Sequence, residues 1–292
     1  MNMKNIFLLL SLALFFFNPA HAATGTETAG SFNQRFSDTS PDCEGEAAYV
    51  CSGIVLRSNE GKPYTWTVSQ NSLEKEKFST SFIRADISDG ANSVFRNHRI
   101  GFGIILYPSN QKQYYTRCIF PINGLTSYNS EHGCGAPMVT PKTDEDNSTC
   151  SAAGILTAEQ WMAASTEEYD VPCSFSTHSA LQFIEALKTQ NLYHLKYPDS
   201  HDAPMWNELI VNASPDDWDN SLAANGLIQA LYYNKYADGD NGQYPLFGLS
   251  GAQSEQLAYK ELTGSWLPIV AVDDTSPDTP FSYADSDQAV LP

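Results

Sequence analysis

Residues 49–121 hold five short apolar runs in close succession: YVCSGIVLR (49–57), PYTWTVS (63–69), FSTSFIRADI (78–87), RIGFGIILYP (99–108) and YYTRCIFPI (114–122). Each is rich in β-branched and aromatic residues, and Gly, Asn, Ser and Pro turns separate them. This succession predicts a β-rich, antiparallel layer over residues 43–134. In FSTSFIRAD, alternation along a strand places Ser79, Ser81 and Ile83 on one face and Thr80, Phe82 and Arg84 on the other, with Asp86 on the side of Arg84.

Working outward, residues 135–273 read as an α/β half. Thr157 is placed to cap a helix over TAEQWM, although the acidic Glu159 stands two positions on rather than three. Residues 176–188 carry Leu181, Ile184 and Leu187 at helical spacing. WNELIVNA (206–213) and SWLPIVAVD (265–273) read as strands, GAQSEQLAYKELTG (251–264) as a helix, and GLIQALYYNKY (226–236) fits either. The expected architecture is therefore α+β, with a β-rich antiparallel N-terminal half packed against an α/β C-terminal half. Residues 23–42 are small and polar and read as a flexible leader. Residues 274–292, rich in proline and aspartate, read as a flexible tail.

The first 22 residues, MNMKNIFLLLSLALFFFNPAHA, place Lys4 ahead of an apolar run from Ile6 to Phe17 and end on Ala20-His21-Ala22. This is the pattern of a secretory signal peptide cleaved after Ala22. The run is too short for a membrane anchor, because the hydrocarbon layer is about 30 Å thick. The expected product is a secreted, monomeric protein. Six cysteines follow: Cys43, Cys51, Cys118, Cys134, Cys150 and Cys173. An even count in an exported chain reads as a disulfide framework. Sequence leaves about fifteen pairings open; joining neighbours (43 with 51, 118 with 134, 150 with 173) closes the shortest loops. There is no CxxC pair, so no metal site is expected.

The formal charge is −18 over 292 residues, which disfavours a nucleic-acid partner. Its distribution is uneven. Residues 23–117 balance ten basic against ten acidic groups and hold every arginine (Arg35, Arg57, Arg84, Arg96, Arg99 and Arg117), whereas residues 118–292 hold five lysines against 24 acids. An anionic ligand would find its cations in the first half.

Two local patterns compete with functional motifs and read as turns. Gly248-Leu249-Ser250-Gly251-Ala252 has the outline of a nucleophile elbow, but no histidine follows Ser250. Asp238-Gly239-Asp240-Asn241-Gly242 departs from a calcium loop at its glycine and at its twelfth position, Leu249. Two segments carry chemistry more readily. Arg84, Asp86 and Ser81 could form an oriented, phosphate-binding group. In WNEL, Glu208 follows an aromatic and enters an apolar strand, a setting that partly desolvates a carboxylate and suits it to acid–base work or to stabilising a cation.

Several segments together resemble the halovibrin family of secreted bacterial proteins: CSGIVLRS with Tyr64 and Trp66 downstream, SFIRAD, GFGIILYP, CIFPINGLTSYNSEHGCG, the stretch from Cys150 to Trp161, WNEL, IQALYY and AQSEQLAYKELTGSWLPIVAV. The likeness runs from about Cys51 to Val272. It implies an exported NAD glycohydrolase that cleaves the nicotinamide–ribose bond, or an ADP-ribosyltransferase with a host protein as acceptor; NAD is substrate and no other cofactor is implied. Cleavage generates an oxocarbenium-like ribose, so the site needs a carboxylate near the ribose, a stacking surface and cations at the pyrophosphate. On this reading Glu208 faces the ribose, Arg84 takes the phosphates with Ser81 and Asp86 orienting it, Trp66 or Tyr64 stacks on nicotinamide, and Arg57 and Asn207 contribute to binding. Arg57, Ser79-Thr80-Ser81 and Gln253-Ser254-Glu255 also follow the order of an enterotoxin-type transferase, but more than 170 residues separate the last two. Glu74-Lys75-Glu76 stands on the wrong side of the serines for that order. A non-enzymatic host-binding factor presenting Tyr114 and Tyr115 is the alternative, and it predicts no convergence of arginine and carboxylate.

Overall fold

The computed structural model describes residues 24–58, 77–87, 101–107, 116–124, 133–135, 149–168, 170–198, 206–212, 227–235, 248–273, 276 and 278–292. Residues 1–22, expected to be a signal peptide, and Tyr64, Trp66, Glu74-Lys75-Glu76, Tyr114, Tyr115 and residues 238–242 lie outside them.

The chain is α+β, built on one large mixed sheet. Its strands are β3 (Ile54–Ser58), β4 (Lys77–Ile83), β5 (Phe102–Leu106), β6 (Thr116–Phe120), β7 (Phe175–Ser176), β8 (Glu208–Asn212), β9 (Ile228–Asn234), β10 (Ile269–Val272) and β11 (Phe281–Ser282). A separate hairpin of β1 (Asp42–Cys43) and β2 (Glu46–Ala47) precedes them. The order across the sheet is β11-β10-β9-β5-β3-β4-β8-β6-β7. Neighbours run antiparallel except β9 and β10, whose parallel pairing requires a crossover, and helix α5 (Leu249–Thr263) supplies it. The two compositional halves are interleaved here: β4 pairs with β8, β8 with β6, and β5 with β9. Position 134 is thus a boundary of composition and not of the sheet.

Alternation sorts the strand residues onto two buried faces. On the first face, Val55, Phe78, Phe82, Ile104, Leu209, Val211 and Leu231 pack under α3 (Ala158–Ala164), α4 (Ala180–Lys196) and α5. α3 starts at Thr157 with a capping box whose partner is Gln160, three residues on, and not Glu159. In α4 the buried stripe is Phe183, Ala186, Leu187 and Tyr193, while Leu181 is 81% exposed. The stripe is set by the Ser179 N-cap, which starts the helix so that Leu181 points to solvent.

On the second face, Ile54, Leu56, Ile83, Ile105, Tyr232 and Val270 pack against Ala29, Phe32 and Phe36. Those three belong to α1 (Gly25–Ser37), which occupies the segment expected to be a flexible leader. The helix forms because Thr24 and Glu27 cap each other and because residues 29, 32 and 36 fall on one side. Arg35 then donates to the carbonyls of Tyr49, Val50, Ser52 and Gly53, tying α1 to the turn before β3. Gly53 has φ +65°, and a Cβ there would lie 2.2 Å from the Phe82 ring.

The tail is also docked, against expectation. β11 pairs with β10, and the Asn33 amide accepts from Phe281 N–H (2.9 Å) and donates to Phe281 C=O (2.8 Å). Gln288 accepts from Ile269 N–H and donates to Ile269 C=O, and Gln256 accepts from Ala289 and Val290. These side-chain amides stand in for a missing strand partner.

Two disulfides join Cys118 to Cys134 and Cys150 to Cys173, bonds that persist in an oxidising compartment. Cys43 and Cys51 are neighbouring thiols that are not bridged; Cys51 Sγ turns toward the Asp42 carbonyl, 4.0 Å away. Burial, with Cys51 as hydrogen-bond partner, pushes the Cys43 thiol up to about 12.

The Tyr233 hydroxyl donates to Asp287 Oδ2 (2.9 Å), and burial together with that carboxylate pushes the phenol up to about 12. An unfolded tyrosine titrates near pH 10. The contribution of this contact to stability is therefore complete below about pH 10 and is lost as pH rises toward about 12. Urea unfolding at pH 8 and pH 11 should show a smaller alkaline loss in Tyr233→Phe than in the parent; equal losses would exclude Tyr233 as a contributor.

Candidate active site

The middle of the second face differs from the rest of the interior. β4 alternates so that Phe78, Thr80 and Phe82 take the first face and Lys77, Ser79, Ser81 and Ile83 the second, as the sequence pattern predicts for residues 79–83. On β8, Leu209 and Val211 take the first face, leaving Glu208, Ile210 and Asn212 on the second. Two adjacent strands thus bury polar side chains where apolar ones would ordinarily sit.

Glu208 is 5% exposed. Its Oε1 accepts from the Ser79 hydroxyl at 2.5 Å, and its Oε2 accepts from the backbone N–H of Gly124 at 3.0 Å. Both oxygens are thereby oriented. Gly124 reaches the carboxylate only as glycine, because a Cβ would lie 2.6 Å from the Phe120 ring. Ser79 is the one residue of β4 that is only half-buried, which places the carboxylate beside the least buried point of that strand.

Beyond Ile210 the face becomes cationic. Lys77 sits opposite Asn212 in the β4–β8 register, and Arg117 Nη2 donates to Asn212 Oδ1. The β6–β8 register shifts between Thr116 and Cys118. Thr116 bonds Tyr49 on the first face, whereas Cys118 lies with Ile210 on the second. The irregularity lets Arg117 and Cys118 share the second face, a re-aiming typical of a β-bulge. Neither Lys77 nor Arg117 stands out in a motif. The signal available in the sequence was only that each is the lone cation of its strand.

The other expected site residues have different roles. Arg84 is 2% exposed; it forms a two-pronged pair with Asp86 (2.6 and 2.8 Å) and donates to Ser40 C=O (2.8 Å) and Ser52 Oγ (3.2 Å). With four of its five donors so engaged, its expected role on phosphate is corrected to one of joining the loops at residues 40 and 52 to the end of β4. Asp86 orients it as expected. Ser81 does not, since alternation turns it to the opposite face, and among the described residues it makes no hydrogen bond to Arg84. Arg84 is held by Ser40, Ser52 and Asp86, whereas Glu208 is held by Ser79 and Gly124 among its partners.

Asn207 extends the β4–β8 ladder. Its side chain accepts from Phe82 N–H, donates to Phe82 C=O and donates to Gln190, imitating a strand residue. Its expected contact with substrate is therefore corrected to a structural one. Arg57 lies on the first face, its guanidinium 4.1 Å from the Phe78 ring centroid and its Nη1 donating to Ser79 C=O (3.2 Å). It reaches the backbone of Ser79 from behind the sheet and is not on the face of Glu208. Gln253-Ser254-Glu255 lies within α5, with Gln253 bonded to Asp287 C=O and Glu255 buried.

Among the described residues, no group of three His, Cys, Asp or Glu side chains is arranged to hold a metal ion, and no helix is long and apolar enough to cross a membrane. No family model matches the chain, and no curated protein matches it significantly.

Arg84→Gln should lower stability by about 2 kcal/mol, because it leaves the Ser40 carbonyl and the buried Ser52 hydroxyl without their donor. Urea midpoints measure this. An unchanged midpoint would return Arg84 to the list of residues held for a ligand.

Proposed function

We propose that this protein is an exported enzyme that cleaves the nicotinamide–ribose bond of NAD, releasing nicotinamide and passing ADP-ribose to water. The observation that carries the reading is Glu208: a buried carboxylate with both oxygens oriented, on a polar sheet face, beside Ser79, the least buried residue of β4. Breaking the bond to a cationic nicotinamide leaves positive charge on the ribose C1′ and O4′. A carboxylate fixed in advance stabilises that charge as it develops, without reorganising at the moment of reaction.

In this scheme Glu208 lies under the ribose, Ser79 and Gly124 hold its two oxygens, and water attacks C1′ from the side nicotinamide leaves. Arg84, Asp86 and Asn207 act at a distance by shaping the end of β4. The resemblance to halovibrins supports the choice of NAD as substrate. A protein acceptor in place of water changes only the nucleophile.

Glu208→Gln keeps the shape of the side chain and removes its charge. It should lower the rate of nicotinamide release by about 10²-fold or more with the fold intact. Ser79→Ala, which frees one carboxylate oxygen, should cost about 10-fold. Release of nicotinamide from NAD by the oxidised protein is the measurement, with circular dichroism as the check on folding. Full activity in Glu208→Gln would remove this carboxylate from the mechanism.

A further inference from the structure

Cys43 and Cys51 stand side by side without a bond: Cys51 is the hydrogen-bond partner of the Cys43 thiol, and its Sγ lies 4.0 Å from the carbonyl of Asp42, the residue before Cys43. The segments that carry them are fixed by contacts that do not involve sulfur. β1 turns into β2 through Glu44 and Gly45, at φ +55° and +94°, and Asp42 Oδ1 accepts from Gly45 N–H (3.2 Å). Cys51 N–H and Ser52 N–H both donate to Ala48 C=O (3.1 and 2.8 Å). Arg84 Nη1 spans the two segments, donating to Ser40 C=O on one and to Ser52 Oγ on the other. The backbone thus brings the two sulfurs together with no bond between them. Their surroundings differ from those of the bridged cysteines. Cys118, Cys134, Cys150 and Cys173 are all 0% exposed, whereas Cys43 and Cys51 are half-buried. A dissolved disulfide or thiol can reach this pair in the folded protein, and it reaches the others only when the core opens. Spacing acts in the same sense: the pair lies eight positions apart, against 16 and 23 for the two bridges. Closing a shorter loop removes less freedom from the unfolded chain, so a bond here adds less to the fold than either existing bridge. Among the described residues, no group of His, Cys, Asp and Glu side chains makes the pair part of a metal site.

We propose that Cys43 and Cys51 form a redox-active dithiol site, which a disulfide compound oxidises to a third bridge and which thiols reopen without unfolding the chain. The chemistry is thiol–disulfide exchange. The thiolate of one cysteine attacks a sulfur of the oxidant, forming a mixed disulfide and releasing one thiol. The thiolate of the other cysteine then attacks the protein sulfur of that mixed disulfide and displaces the second thiol. The two protein sulfurs lose two electrons, the oxidant gains two, and the two protons of the protein thiols end on the released thiols. Bridged, the pair clasps the β1–β2 hairpin to the turn that leads into β3. Open, Arg84 holds the same segments by hydrogen bonds alone, as Arg35 holds the turn. The hairpin packs on α4, so the redox state sets how firmly this edge of the molecule is closed. The site goes beyond the activity proposed above and does not depend on it.

The test equilibrates the full oxidised protein in glutathione buffers of graded reduced-to-oxidised ratio, blocks free thiols with iodoacetamide and maps the blocked cysteines by peptide mass. Cys43 and Cys51 should pass together from bridged to blocked over a range in which Cys118, Cys134, Cys150 and Cys173 stay unblocked. They should close again when the protein is returned to the oxidised buffer. The thermal unfolding midpoint of the parent should lie about 5 °C higher at the oxidised end of that range than at the reduced end. Cys43→Ser, which cannot close the bridge, should lose this difference and carry glutathione on Cys51 as a mixed disulfide. The blocking experiment needs only the parent, so it decides the proposal even where the variant fails to fold. Cys43 and Cys51 blocked at every ratio would overturn the site, and so would a bridge between them that opens only together with the two buried ones.

Discussion

The pairing of β4 with β8 is the constraint on which the rest of the molecule depends. Phe78 faces Val211, Ser79 faces Ile210 and Thr80 faces Leu209, with more than 120 residues of chain between the two strands. Closing so long a loop has an entropic cost that local structure does not offset, so the pairing must be held by what it buries. On one side it buries Phe78, Phe82, Leu209 and Val211 under α4. On the other it brings Ser79 to Glu208. The same register therefore builds the core and assembles the polar face, and a slip of one residue would exchange the two, placing Glu208 among the phenylalanines. Asn207 supports this register, because its amide pairs with both backbone groups of Phe82.

What could be read in the sequence follows the range over which each signal acts. Strand character and the alternation in STSFI are short-range properties, and they appear as expected. So does the entry of Glu208 into an apolar strand, since WNEL carries its own contrast. The α1 helix was hidden by its composition: Thr24, Glu27, Ala29, Phe32 and Phe36 form a cap and a stripe, but polar residues fill the rest. The attachment of the tail was hidden because glutamine and asparagine amides carry it, and those residues look like solvent-facing ones in a sequence. The fate of Arg84 was hidden for another reason. Its partners, Ser40 and Ser52, are a carbonyl and a hydroxyl, which no charge pattern announces.

Arginine usage shows how the charge map has to be refined. Six arginines in the first half suggested an anion site there, yet two of the described ones are structural. Arg35 gathers four carbonyls before β3, and Arg84 joins three separate segments around Asp86. A guanidinium has enough donors to replace a short piece of secondary structure where loops meet, which is what both do. Arg57 packs on an aromatic ring from the apolar side. Arg117 alone among the described arginines shares the face of Glu208, and it does so through an irregularity in β6 that sequence does not reveal.

The polar face also explains why the disulfide between Cys118 and Cys134 stands where it does. Cys118 is next to Arg117 on β6 and opposite Ile210, and the loop it closes contains Gly124, the amide donor to Glu208. Gly133, at the other end of that loop, lies against Lys77. A sheet face rich in polar groups gains less from burial than an apolar one, so the backbone at Gly124 and Gly133 beside it is not held by the hydrophobic effect alone. The small apolar cluster of Cys118, Phe120, Cys134 and Ile210 is limited in area, and the covalent bond at its centre compensates. The bridge between Cys150 and Cys173 sits in the larger core beside Trp161, where packing already holds the chain. One disulfide thus reinforces a core, while the other fixes the backbone at Gly124 and Gly133 beside Glu208 and Lys77.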